Sequence, residues 1–235
     1  MGNVIALDAE TANFSYADHA DRLCRHFVKA KADHFSNDDI VELLLFACGA
    51  GVNAKTLATQ LLASFGSFTR IITASADELG KISGIDERLI AVIKLVQESA
   101  LRLLKEDVTD TVILNNKTAL FQYCKAKMRH LKIEQFHVFY LNRKLHLIAD
   151  EIVSEGTIDH TPVYPREVVK RTLDLGATSI ILAHNHPSGD PRPSEADKRI
   201  TRDISMALAT MGIDVIDHVV IGGSRHFSFL EHGLM

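Results

Sequence analysis

Only three cysteines occur among the 235 residues, Cys24, Cys48 and Cys124, odd in number and widely spaced. A disulfide framework or a cysteine-based zinc module needs pairs at short spacing, so neither fits, and three reduced, mostly buried thiols are expected. Long apolar runs are missing too. The longest, Leu43 to Cys48, falls far short of the roughly 20 residues that a membrane helix requires. The first residues carry neither a signal-peptide nor a transit-peptide pattern, and position 6 is Ala6 where a myristoylation signal has Ser or Thr. The expected location is the cytoplasm, with no membrane partner. A basic excess is also absent: residues 1–112 hold 11 Lys and Arg against 16 Asp and Glu, and residues 113–235 hold 15 against 14. Neither half suits a protein that grips nucleic acid mainly through phosphates. No internal repeat or low-complexity tract occurs.

What is present is core-forming material, with 46% hydrophobic residues in a length that suits one large or two small domains. Residues 1–20 show no period and are expected to form a flexible tail. Residues 21–106 read as helical almost throughout. Ser36-Asn37-Asp38-Asp39 and Ser75-Ala76-Asp77-Glu78 are capping-box-like helix starts, and the glycines Gly49, Gly51 and Gly66 punctuate the segment as turns. Leu89, Ile90, Ile93, Val96 and Leu101 recur near every 3.6 residues, which predicts one buried face on a helix over 87–105.

A polar stretch, Glu106 to Thr111, marks the expected boundary, and beyond it the period changes. Residues 113–235 read as a helix over 117–130, a strand over 133–141, an Asn142-Arg143 turn and a returning strand over 145–153. Pro165 and Gly176 bracket a further helix. A buried strand over 179–184, a helix over 195–211 and a strand over 217–221 follow. Strands and helices alternate, so this domain is expected to be an α/β or α+β sandwich.

His184 and His186 stand at i and i+2, where an extended chain projects both side chains to one face. Asp197 follows eleven residues after the second, within Ser194-Glu195-Ala196-Asp197, a helix start that can fold back toward the histidines. Two imidazoles and one carboxylate leave a fourth position for water, as a hydrolytic zinc site requires. The spacing therefore predicts one Zn2+ per chain, held by His184, His186 and Asp197. A bland reading competes. Ser194 and Asp197 also make a good helix cap without any metal. The two roles are compatible, because a carboxylate held in a first helical turn can still ligate.

This segment resembles the JAMM motif of the MPN metalloprotease superfamily: an upstream Glu, then His-x-His, seven residues, and Ser-x-x-Asp. More closely, His184 to Gly189, with Pro165-Arg166-Glu167-Val168 and Asp217-His218-Val219-Val220-Ile221-Gly222, resembles the RadC family. The resemblance covers nearly the whole chain. It implies an MPN/JAB-type sandwich preceded by a small all-α helix-hairpin-helix domain. It implies a zinc metallopeptidase acting on a peptide or protein substrate, with Ser194 supporting the tetrahedral intermediate. It also implies a general base at the opening of the first core strand, where Glu134 stands. Glu151 and Glu155 are the alternatives. The deubiquitinase branch has Ser or Thr between the histidines, where this chain has Asn185, so the match does not extend to ubiquitin-like substrates. The letters His-Asn-His do not make an HNH nuclease, whose named residues are dispersed along a ββα element. His160 and His218 could orient a ligand imidazole, although His218, beside Asp217 at a strand start, reads rather as structural.

The segment Glu78 to Arg88 resembles a helix-hairpin-helix hairpin, which holds DNA phosphate on backbone N–H groups of a Gly-hydrophobic-Gly turn. Asp86 replaces the second glycine, and a carboxylate there repels phosphate, so packing is the expected role. Lys81 and Arg88 are the nearest positive charges for any DNA contact. A DNA-binding or DNA-repair accessory protein is accordingly the alternative to the hydrolase, and a catalytically silent scaffold is the third reading.

Overall fold

The computed structural model describes residues 18–29, 34–110, 112–156 and 163–235. The chain divides into two compact units, Met1–Ser99 and Ala100–Met235. Most of the expected tail lies outside the described residues, and residues 18–20 are already helical. Among the described residues no helix is long and apolar enough to cross a membrane.

The first unit is built from helix α1 over residues 18–29, then α2 (Asn37–Ala47), α3 (Ala54–Phe65), α4 (Phe68–Thr73), α5 (Ala76–Leu79) and the start of α6 (Glu87–Thr109). Both anticipated capping boxes form. The Ser36 hydroxyl accepts from the Asp39 N–H while the Asp39 carboxylate accepts from the Ser36 N–H, and Ser75 and Glu78 repeat the exchange. Each box satisfies helix-start donors that would otherwise lack a partner. Val41, Leu45, Leu57, Leu61, Ile71, Leu79 and Ile93 form the core of this unit. The Asp86 carboxylate accepts from the Leu89 N–H at 2.9 Å, so it caps α6 at the position where a second hairpin glycine was sought. Helix α6 runs four residues beyond its expected end, taking in the polar Glu106 to Thr109. Glu106 and Asp107 face solvent while Val108 in the same turn is buried, so polarity alone did not end the helix.

The second unit continues from α6 into α7 (Lys117–Met128), β1 (Glu134–Leu141), β2 (Leu147–Gly156), α8 (Pro165–Asp174), β3 (Ser179–Asn185), α9 (Glu195–Ala209), β4 (Asp214–Gly222) and β5 (Arg225–Ser228). The strands form one mixed sheet in the order β2-β1-β3-β4-β5. β3 and β4 are parallel, and the other neighbours are antiparallel. Alternation along each strand sorts side chains to two faces. Phe139, Leu141, Ile181 and Ala183 pack with Leu120, Cys124 and Met128 of α7. Phe136, Val138, Tyr140, Ile180 and Leu182 pack with Val168 of α8 and with Ile204 and Leu208 of α9. Helices thus cover both faces, which makes an α+β sandwich and explains why every residue of β3 is buried.

Three expectations are corrected here. β2 extends to Gly156, so Glu155 lies within the strand. β5, only four residues long, was not anticipated. Of the three free cysteines only Cys124 is buried, and Cys24 and Cys48 are half-buried.

Candidate metal centre

Two local rules bring the donors together. His184 has the same strand parity as Ile180 and Leu182, so it turns to the face covered by α9, and His186 follows two residues later. The connection from β3 to α9 must then return Asp197 to that end of the strand. It does so through a short loop carrying Pro187, Pro191 and Pro193, with Gly189 at φ 83°, a left-handed conformation that glycine adopts without a Cβ clash. The loop is tied to the sheet where the His186 N–H donates to the Ile221 carbonyl at 2.8 Å.

His184, His186 and Asp197 form the one group of three or more His, Cys, Asp or Glu side chains among the described residues that could hold a metal ion. The His184 and His186 Nε2 atoms are 2.9 Å apart. His184 Nε2 lies 3.3 Å from Asp197 Oδ1, and His186 Nε2 lies 3.5 Å from Asp197 Oδ2. Donors placed tetrahedrally at about 2.0–2.1 Å from zinc stand about 3.3 Å from one another, so the three positions fit one ion. The protonation pattern fits as well. His186 Nδ1 is 2.7 Å from the Asp190 carbonyl oxygen, which can only accept. The ring must therefore carry a proton on Nδ1, and its Nε2 faces the other donors.

Asp197 occupies the third residue of α9 in a capping box. Its Oδ2 accepts from the Ser194 N–H at 2.6 Å and from the Ser194 hydroxyl at 2.7 Å, while the Asp197 N–H donates to Ser194 Oγ at 3.1 Å. Oδ1 is turned toward His184, while Oδ2 both takes the cap bonds and faces His186. Burial alone would raise the Asp197 carboxyl. The neighbouring His184 and His186 imidazoles, together with the Ser194 hydroxyl, instead hold it well below the usual carboxylate range. The pKa of His186 is raised, mainly by the Asp197 carboxylate, and Glu134 adds to that rise.

Glu134 is the first residue of β1, where it pairs with Gly156, two residues before Phe136, which pairs with His184. The other two acidic candidates have these partners. Glu151 takes both Nε and Nη2 of Arg171, at 2.8 and 2.6 Å, and Glu155 accepts from Gln135 Nε2 at 2.8 Å.

Asn185, between the two histidines, has a role that its sequence position did not reveal. The main-chain pairing of β1 with β3 ends at Phe136 and His184. Beyond that point the Asn185 side chain continues the pairing: its Oδ1 accepts from the Gln135 N–H and its Nδ2 donates to the Ile133 carbonyl, both at 2.9 Å. The backbone on either side of Glu134 is thereby clamped. Asn185→Ala is expected to leave both backbone groups without partners, costing about 1–3 kcal/mol, and to speed hydrogen exchange at the Gln135 amide by tenfold or more. Metal affinity should stay within about threefold of wild type, since Asn185 holds none of the donor atoms. Unchanged exchange at Gln135 contradicts the clamp.

His218 is corrected by the structure. Fully buried on β4, it lies with Nε2 2.8 Å from His184 Nδ1, so it contacts a ligand ring directly. Burial pushes its pKa well below the ordinary value. Phe136 stacks on His184 at 5.8 Å and Phe229 on His218 at 4.7 Å, holding both rings in plane. His160 lies outside the described residues.

A mixed sheet between helical layers, with its donor cluster at the carboxyl end of a central strand, defines the class of domain here. Residues 113–234 match the family model of the RadC-like JAB domain. Similarity extends through the helical region as well. A UPF0758 protein of Ruegeria pomeroyi is 42% identical over 218 residues, covering 93% of this chain and 97% of the relative. A UPF0758 protein of Rhodobacter capsulatus is 42% identical over 213 residues, covering 91% of this chain and all of the relative. The chain belongs to the RadC family, whose JAB domain is related to metalloproteases.

Proposed function

We propose that the chain is a zinc-dependent hydrolase of the JAMM type, cleaving peptide or isopeptide bonds in a peptide or protein substrate. The observation that carries this reading is the convergence of two imidazole nitrogens and one carboxylate oxygen, beside a first strand that opens with Glu134. When bound, zinc supplies Lewis acidity, lowering the pKa of a water to about 7 and polarising a carbonyl.

The chain's own residues do the rest. His184, His186 and Asp197 present the donor atoms. Glu134 accepts the proton of the attacking water and returns it to the leaving amine, so one carboxylate serves both halves of the reaction. Ser194 supports the developing oxyanion. The Ser194 hydroxyl donates to Asp197 in the resting arrangement, so this role requires the hydroxyl to turn toward substrate.

The test combines metal analysis with turnover. Purified wild type is expected to contain about one zinc per chain and to cleave members of a peptide library. Glu134→Gln should retain the zinc but lose roughly 10²- to 10⁴-fold in rate, the usual contribution of a general base. A wild type without stoichiometric zinc overturns the reading. No structural observation favours the nucleic-acid alternative: Asp86 is committed to capping α6, and residues 1–112 are net acidic.

A further inference from the structure

We propose that Thr201, acting through His218, is a positioning residue that locks His184 in the tautomer protonated on Nδ1 and so keeps its Nε2 available to a metal. The proposal rests on the metal reading of His184, His186 and Asp197. Its warrant is a chain of buried hydrogen bonds whose directions follow from which atoms own a proton.

The chain starts at an atom that cannot donate. Thr201 lies one turn after Asp197 in α9, and its Oγ1 is 2.6 Å from the Asp197 main-chain carbonyl oxygen. A carbonyl only accepts, so the single hydroxyl proton of Thr201 points there. Oγ1 is also 2.6 Å from His218 Nδ1. Having given its proton away, the hydroxyl can only accept on this side, and His218 must carry its proton on Nδ1. A completely buried imidazole whose ring nitrogens face a hydroxyl and another imidazole is neutral and has one N–H, so His218 Nε2 is an acceptor. Facing it at 2.8 Å is His184 Nδ1, which must donate. The proton of His184 therefore sits on Nδ1, and its Nε2 presents a lone pair toward His186 and Asp197.

Along these three contacts any reversal places two protons or two lone pairs against each other in a region closed to water. His184 and His218 are completely buried and Thr201 is 3% exposed. Bulk solvent does not reach these side chains, and an unpaired buried polar group is costly. The relay is also closed upon itself. It begins on the backbone of Asp197 and ends on the imidazole that faces the Asp197 carboxylate. The helix turn presenting the acidic donor thus sets the proton position of a histidine donor on the strand. His186 is set independently, by the Asp190 carbonyl.

The test uses the full chain, prepared free of metal and labelled with nitrogen-15 in histidine. Long-range proton–nitrogen correlation spectra distinguish a ring protonated on Nδ1 from one protonated on Nε2. Wild type is expected to show both His184 and His218 protonated on Nδ1. Thr201→Val removes the hydroxyl at nearly constant volume. It should shift His184 toward the Nε2-protonated form and weaken zinc binding by roughly 10- to 100-fold, the range found for partners of metal-ligating histidines. Thr201→Ser, which keeps the hydroxyl, should restore both readouts. A purely structural Thr201 would leave the tautomers unmoved. Wild-type tautomers together with wild-type zinc affinity in Thr201→Val overturn the proposal. If the valine variant does not fold, the wild-type spectrum decides, since a His184 without a proton on Nδ1 in the metal-free protein is incompatible with the relay. A wild type with the stated tautomers that takes up no zinc supports the relay and removes the metal reading, so the two can fail separately.

Discussion

His186→Ala is expected to purify without stoichiometric zinc and to bind added zinc more than a hundredfold more weakly than wild type. Zinc sites with four protein ligands yield about 10–16 kcal/mol, or roughly 3 kcal/mol per donor, and every 1.4 kcal/mol is tenfold. The alanine removes one of three converging donors and leaves the others in place. Asp197 keeps its bonds from the Ser194 N–H and hydroxyl, and His184 keeps its contact with His218. The metal-free fold should therefore melt within a few degrees of wild type. The discriminating measurement is a pair of melting curves with and without zinc. A ligand bound only to the folded state stabilises it by about 2.7 kcal/mol at a hundredfold excess over its dissociation constant, so zinc should raise the wild-type transition and leave the variant unmoved. An alanine variant that still carries one zinc per chain would place the metal elsewhere.

Gly222→Ala should be the most damaging single methyl group in the site, although Gly222 touches no donor atom. It ends β4 where the strand passes under the loop that follows His186. A Cβ there would meet the Pro191 nitrogen, and would lie 2.7 Å from the Asp190 carbonyl carbon and 2.8 Å from the Gly189 carbonyl oxygen. All three are backbone atoms, which cannot swing aside as a side chain can. Two consequences follow from one displacement. Overpacking of this kind costs about 3 kcal/mol or more, which should lower the melting temperature by about 10 °C. The Asp190 carbonyl, which fixes the proton of His186, moves with the loop, so zinc affinity should fall as well. Calorimetry and zinc titration on the same preparation check both. Loss of stability with wild-type zinc affinity would show that the loop adjusts without disturbing His186.

How much of this was legible depended on the range of the interaction involved. The helix starts at Ser36, Ser75 and Ser194 were readable because a capping box is contained within four residues, and all three form. β3 was readable because covering both faces of a strand demands an unbroken apolar run. β5 was missed because four residues are too few to show a period. The end of β2 was missed because Ser154 and Glu155 look like loop residues, yet register with β1 carries the strand to Gly156. The polar end of α6 misled in the opposite direction, since charged residues serve as well in a helix turn as in a linker.

The candidate site divides in the same way. By itself the sequence determined that His184 and His186 share a face, that Asp197 stands in the first turn of a helix, and that a short proline-rich connection separates them. Strand alternation and helix capping are local properties, so they survive without knowledge of the fold. Tertiary structure alone decided which nitrogen of each histidine faces the donor cluster, which atoms hold the Glu134 strand in place, and why Gly222 must be glycine. His184 meets His218 across 34 residues, and Asn185 reaches Gln135 and Ile133 across 50 and 52. The acceptor that sets His186 is a main-chain carbonyl, which every residue possesses and no residue letter marks. Those contacts depend on sheet register and on the return of α9 to the end of β3, and local periodicity encodes neither.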